Sequence, residues 1–323
     1  MTNADEVLHI VFERLYPSAN AVLLLGPMPV LVDPGFGSDV SALEAWLVHH
    51  GVSPHALTLI VNTHYHSDHV GANHALQERY GLPVAAHAEE AALVNQRDAS
   101  ACAAEWLRQP VESYVVDRSL GDGDVIDTGA TTWRVLHTPG HTRGHISLFD
   151  EHRKVLIVGD AVHADDIGWL NPALEGDDVL DRSIDTLTRL RALNSRAAVS
   201  GHGPMMLDPS TAIDAGRRRL ERWRTNPEAC AWHAAKRIFA YALMIEGGLH
   251  ADDVDSYLSA SPWVRSFAAA PFRVSQAEFC TALMTEMLRS GAAQWQAEHL
   301  VATALHTPTN PSWPRSPTLP SRW

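Results

Sequence analysis

Apolar residues along this chain recur at two spacings. Short aliphatic and β-branched runs at residues 7–12, 21–32, 57–61, 83–86, 133–136, 146–149 and 155–158 read as strands, with Gly26-Pro27-Met28-Pro29 folding the second run into a hairpin and Asp33-Pro34-Gly35 closing it. Run 57–61 is apolar and β-branched almost throughout, which predicts a strand buried on both faces, and 155–158 is a further apolar run that pairs with 146–149. Between the strands the period lengthens. Leu43, Trp46 and Leu47 in 38–50, the stretch 72–80 closed by Gly81, residues 89–108, and Ile184, Leu187, Leu190 and Leu193 in 179–193 read as helices. This alternation predicts two sheets covered by helices.

Past Leu207-Asp208-Pro209-Ser210 strand runs cease and alanines multiply, which sets a domain boundary near 210. Trp232, Ala235, Phe239 and Ala242 share one face of a helix ending at Gly247-Gly248, and Val254, Tyr257 and Leu258 mark a shorter one. A capping-box pattern, Ser275-Gln276-Ala277-Glu278, opens a third that runs through Phe279, Leu283 and Met287 to Gly291. Ala293-Gln294-Trp295-Gln296 and Leu300-Val301-Ala302-Thr303 then pair as a hairpin, so residues 211–306 resemble a small, mostly helical winged-helix appendage. Its expected role is to cover a pocket or to form a homodimer. Residues 307–323 hold five prolines and few apolar positions, and are expected to be disordered.

Charge narrows the classes of function. With 38 acidic against 25 basic residues in 323, the formal net charge of −13 disfavours a nucleic-acid or anionic-membrane partner, both of which need clustered cations. Lys236, Arg237, Arg265, Arg273 and Arg289 are scattered. The first residues lack the basic start and apolar core of a secretory leader, and no apolar run approaches the ~20 residues of a membrane span, so a cytoplasmic protein is expected. Cys102, Cys230 and Cys280 are too few and too far apart for a disulfide scaffold or a zinc-cysteine motif.

The chemistry sits just after the 57–61 run. Thr63-His64-Tyr65-His66-Ser67-Asp68-His69 packs three imidazoles and a carboxylate into a loop at a strand's carboxyl end, a donor set suited to zinc, or to iron or manganese. Further donors follow other strand-like runs: His141 in Thr138-Pro139-Gly140-His141, Asp160 after Val155–Val158, and His202 in Ser200-Gly201-His202-Gly203. One histidine among 19 is more often structural; this spaced set is not. Taken together, these residues resemble the metallo-β-lactamase-fold hydrolase superfamily, whose H-x-H-x-D-H motif and later His, Asp and His are each matched.

That resemblance implies an α+β, αββα sandwich of two mixed β-sheets flanked by helices, and two divalent ions, zinc foremost. It places His64, His66 and His141 on one ion and Asp68, His69 and His202 on the other, with Asp160 bridging. Asp33 would support the metal loops, although an Asp before Pro-Gly also explains itself as a turn residue. His145 would be a supporting group, and His87 has no place in the pattern and reads as structural. His163 falls three residues past Asp160, where acyl-homoserine-lactone hydrolases of the superfamily carry a tyrosine. It is either a solvated loop histidine or a group that binds substrate or protonates the leaving group.

The expected activity is binuclear metal-dependent hydrolysis of a small-molecule thioester, ester or lactone by a metal-bridging hydroxide, with Asp68 relaying the proton. A phosphodiesterase is disfavoured by the acidity, and a β-lactamase by the absence of a leader. His66, where the superfamily's diiron flavoproteins carry glutamate, argues against redox chemistry. The competing class is a regulatory or interaction protein of the same fold, similar to quinolone-signal response proteins, in which hydrolysis is vestigial.

Overall fold

The computed structural model describes residues 8–109, 111–310 and 313. Strands β1 (His9–Phe12), β2 (Ala21–Leu24) and β3 (Val30–Val32) form an antiparallel meander. Helix α1 (Val40–His49) leads to β4 (Leu59–Val61), which lies parallel to β3. Helices α2 (Ser67–Val70) and α3 (Asn73–Tyr80) then lead to β5 (Val84–His87), and α4 (Ala88–Asn95) and α5 (Ala104–Leu107) to β6 (Arg118–Leu120). The six strands make one mixed sheet in chain order.

A second sheet is built from β7 (Val125–Asp127), β8 (Thr132–His137), β9 (Ile146–Asp150) and β10 (Val155–Gly159), joined antiparallel. After α6 (Pro172–Glu175) and α7 (Val179–Ala192), β11 (Ala197–Ser200) adds in parallel beside β10. Strand alternation explains how the layers stack. Val22, Leu24 and Val32 point toward Trp133, Val135, Leu148 and Ile157 and form the core between the sheets. The residues between them, Ala21, Leu23 and Leu31, face Leu43, Leu47 and Leu76 of α1 and α3. On the far side Leu156, Val158 and Ala198 face Val179, Leu187 and Leu190 of α7. Each central strand is therefore buried on both faces, as its apolar run required.

The C-terminal part holds α8 (Ser210–Thr225), α9 (Pro227–Glu246), β12 (Leu249–His250), α10 (Ala251–Ala260), α11 (Pro262–Phe267), α12 (Gln276–Arg289), and the hairpin β13 (Ala293–Gln296) with β14 (His299–Ala302). Strand β14 is flanked by β12 and β13. The capping box at Ser275 and Glu278 is present. Packing divides one helix later than the composition shift near 210 implies. Ala212, Ile213, Leu220 and Trp223 of α8 join the core over the second sheet, whereas a separate core gathers Ala235, Phe239, Leu258, Trp263, Phe279, Leu283 and Leu300.

Two other expectations need correction. The single helix over 89–108 is broken, because Asp98 Oδ1 accepts from Ser100 N at 2.8 Å and from Ser100 Oγ at 2.6 Å, a local turn that competes with helical bonding. The tail is not free over its first residues: Thr307 N donates to Tyr16 O at 2.7 Å, Thr309 Oγ1 donates to Ile245 O at 3.0 Å, and Trp313 packs on Phe36. Residues 311–312 and 314–323 of that tail, and the start of the first expected strand, lie outside the described residues. Among the described residues no helix is long and apolar enough to cross a membrane.

Candidate metal centre

Every candidate ligand leaves the carboxyl end of a strand or the turn just after it. His64 and His66 follow β4, Asp68 and His69 lie on the single turn α2, and His141, Asp160 and His202 follow β8, β10 and β11. The structure brings all seven together in two groups, His64, His66 and His141 in one and Asp68, His69, Asp160 and His202 in the other, with the ligand atoms of each group within 4.8 Å of one another. His66 Nδ1 lies 3.1 Å from His64 Nε2 and 2.9 Å from His141 Nε2. His202 Nε2 lies 3.0 Å from Asp68 Oδ2. Asp160 stands between the groups: Oδ2 is 3.7 Å from both His141 Nε2 and His202 Nε2, and Oδ1 is 3.3 Å from His69 Nε2.

The outer nitrogens of these rings are already committed. His141 Nδ1 donates to Trp169 O at 2.7 Å and His69 Nδ1 to Asp33 Oδ2 at 2.8 Å, so each ring turns its Nε2 inward. Asp33, with φ 51°, also accepts from Thr63 N at 2.8 Å and from Thr63 Oγ1 at 2.6 Å, tying β3 to the histidine loop. His145 supports from behind, accepting at Nε2 from Asp160 N at 3.1 Å while Nδ1 meets Thr138 Oγ1 at 2.9 Å. His87 caps α4 and stacks on His137. Two glycines are demanded by close approach: a Cβ at Gly201 would sit 2.1 Å from Asp160 Oδ1, and one at Gly168 2.2 Å from Asp160 O.

This donor set fits divalent ions. His69 Nε2 and Asp160 Oδ1 are buried without a hydrogen-bond partner, and a cation between them would satisfy both. Burial, then neighbouring imidazoles, hold His64 and His66 well below the usual histidine range, and burial lowers His141, so this group is neutral and ready to ligate. His69 differs. Asp160, Asp33 and Asp68 outweigh its burial and raise it well above that range, so a proton and a metal compete for its Nε2.

Four of the seven, His66, Asp68, Asp160 and His202, floor a cavity of about 570 Å³. One wall is the loop from His163 to Trp169, where Ile167 and Trp169 follow the acidic pair Asp165 and Asp166. Trp169 stacks on the His66 ring at 5.0 Å, and Asp166 anchors the loop to α8 and α9 through Arg219, Arg237 and His233. His163 lines this cavity, with its ring edge-on to His202 at 5.6 Å, and burial pushes it down to about 4. At neutral pH its imidazole is therefore neutral. The opposite wall is α9, through Lys236, Arg237 and Tyr241, with Leu107 and Gln109 beside it. Tyr16, which no periodicity marks, stacks on His202 at 4.5 Å and 24°. Its phenol is close enough to Asp160, Asp68, Arg237 and Asp166 to feel their charges.

With this geometry in place, the comparison with known families is decisive: the sequence model described as the metallo-beta-lactamase superfamily matches residues 20–202. The chain belongs to the metallo-beta-lactamase superfamily. Membership implies divalent metal ions, and the seven residues above lie within or at the end of the matched span. Its relatives include an uncharacterised protein of Aquifex aeolicus, 34% identical over 43% of this chain, of whose length 62% is covered. A hydroxyacylglutathione hydrolase of Chelativorans sp. is also 34% identical, over 33% of this chain and 34% of its own length. A solved metallo-beta-lactamase family protein of Thermus thermophilus superposes with a TM-score of 0.56 at 23% identity, covering 91% of this chain and 98% of that one. That likeness concerns the fold, and it extends into the C-terminal helices.

Proposed function

We propose that this chain is a metal-dependent hydrolase of a small-molecule thioester, ester or lactone. The observation that carries the reading is the convergence of two ligand groups on Asp160 at the floor of an open cavity. His64, His66 and His141 would hold one divalent ion, Asp68, His69 and His202 the other, and Asp160 both, with zinc the leading candidate and iron or manganese the alternatives. When bound, such ions polarise a carbonyl and lower the pKa of water to about 7. The thioester class is favoured by the hydroxyacylglutathione hydrolase relative.

The chain's own residues do the rest. Asp33 and the Trp169 carbonyl hold His69 and His141 in the tautomers that face inward. Asp68 keeps a carboxylate at the cavity floor, 3.0 Å from His202 Nε2, where it can carry a proton from water toward the leaving atom. Trp169 and α9 wall the cavity on either side. A cavity opening onto Asp68 and Asp160 favours turnover over a regulatory role, for which these side chains need no access.

Purified protein, with its metal content measured, should be screened against thioesters, lactones, phosphodiesters and a chromogenic β-lactam. Turnover of an acyl substrate that falls in Asp68→Asn by more than any accompanying loss of metal explains is the expected result. A protein that binds metal, hydrolyses none of these and keeps its biological output as Asp68→Asn is not an enzyme of this class.

A further inference from the structure

Tyr16 stands in a connector between β1 and β2, yet the structure fixes it from several sides. Its carbonyl accepts from Thr307 N at 2.7 Å and from Thr307 Oγ1 at 3.2 Å, and Tyr16 bridges to His306 in parallel fashion. The next residue is held as well, with Tyr241 Oη donating to Pro17 O at 2.8 Å, and the rings of Tyr16 and Tyr241 meet edge-on at 6.2 Å. Backbone so restrained presents the Tyr16 ring flat against His202, on the wall of the cavity that Asp68, Asp160 and His163 also line.

The hydroxyl itself is uncommitted. Among the described residues it makes no hydrogen bond, although Asp160, Asp68, Asp166 and Arg237 surround it closely enough to act on its charge. A phenol is a donor at neutral pH, and one left without an acceptor beside a cavity is available to whatever fills it. Lys236, Gln109 and His163 are further donors on the same cavity, but none of them lies flat on His202 as Tyr16 does. Arg237 is engaged by Asp166, and the inward atoms of His66, Asp68, Asp160 and His202 are acceptors committed to the metal centre.

We propose that the Tyr16 hydroxyl is a catalytic hydrogen-bond donor to the leaving oxygen or sulfur of the substrate. The assignment rests on the hydrolase reading above. Water adds to the acyl carbon, the C–O or C–S bond breaks, its electron pair departs on the leaving atom, and the proton released by the water ends on that atom by way of Asp68. Tyr16 lies on the same side, because the His202 ring it covers is the one that meets Asp68. Its O–H stabilises the charge that collects during cleavage and is unchanged at the end. The residues braced against it, Thr307 and Tyr241, are positioning groups.

The test compares wild type with Tyr16→Phe on acyl esters of one acid and graded leaving groups, from p-nitrophenol to a simple alkanol, together with the metal content of both proteins. Loss of the donor should lower kcat/KM roughly 10- to 100-fold for the alkyl ester and little for p-nitrophenyl, with metal unchanged. A second readout needs no turnover: calorimetric binding of an alkylphosphonate monoester, a tetrahedral anion, should weaken about tenfold in Tyr16→Phe. An equal loss across the whole ester series, or unchanged phosphonate affinity, overturns the assignment. If wild type cleaves none of these esters and no thioester or lactone either, the hydrolase reading fails instead, and the phosphonate comparison still decides whether Tyr16 donates into the cavity.

Discussion

His69 Nδ1 and Asp33 Oδ2 meet at 2.8 Å, and this one contact decides which way the His69 ring faces. With Nδ1–H fixed on the carboxylate, Nε2 is left facing Asp160 Oδ1 at 3.3 Å, and the second oxygen of Asp33 ties the same unit to Thr63 N. Both residues are fully buried, so no water can replace the carboxylate without rearrangement. Asp33→Ala should therefore weaken the ion held by Asp68, His69 and His202 by about 10- to 100-fold, the usual cost of losing a partner behind a ligand. Equilibrium dialysis against a graded zinc buffer reads this directly, and an affinity equal to wild type would remove Asp33 from the metal centre.

Metal stoichiometry tests the two groups themselves. Protein purified without chelator should carry close to two transition-metal ions per chain, and stripping them should lower Tm, because an ion that binds only the folded state stabilises it by mass action. His202→Ala removes one donor from the group around Asp68 and leaves His64, His66 and His141 untouched. One ion should remain. Simultaneous loss of both would show that Asp160 couples the groups too tightly for either to stand alone.

Much of this is readable in the chain because the informative signals are local. The strand runs specify two-faced burial, and each ligand directly follows such a run, so the αββα layering and the meeting of His64, His66, Asp68, His69, His141, Asp160 and His202 follow from pattern plus family resemblance. What escapes the sequence depends on contacts between distant segments. Tyr16 sits beside His202 where Thr307 holds its carbonyl and Tyr241 that of Pro17, across separations no periodicity encodes. The proline-rich composition of 307–323 reads as disordered since it offers few apolar positions; the order of 307–310 comes from hydrogen bonds to Tyr16 and Ile245. Likewise α8 falls after the composition shift, yet its apolar stripe matches α7, and packing overrides composition.

His163→Ala should impair turnover while sparing metal. The ring lines the cavity and, with burial holding it near 4, enters neutral, able to donate or accept a hydrogen bond but not to arrive as an imidazolium. The expected loss in kcat/KM is about tenfold, below the 10²–10⁴-fold of a full general acid. Full activity with unchanged KM on the best substrate would make it a bystander in the loop. A loss beyond ~10³-fold with metal retained would make His163, and not Asp68, the group that transfers the proton.

Behind the metal centre a second cavity of about 300 Å³ is lined by Tyr65, Glu90, Arg143 and Glu175. Burial pushes the Glu175 carboxyl up to about 7, overcoming the Arg143 N–H that donates to its Oε2 at 2.8 Å and the Arg143 charge. The ordinary glutamate value is 4.5, so between the two values the folded chain binds more protons than the unfolded chain, and stability must fall as pH rises through that window. Above it both states are ionised and the loss is complete, on the order of 3 kcal/mol at most for a shift of this size. Glu175→Gln keeps an acceptor for the Arg143 N–H and removes the titration. Urea midpoints at pH 5, 6, 7 and 8 should show a shallower decline between pH 5 and 7 than wild type, with a residual slope from Glu90, which burial also raises. A variant whose stability declines as steeply as wild type over that range would mean that Glu175 is ionised in the native protein and that Arg143 outweighs its burial.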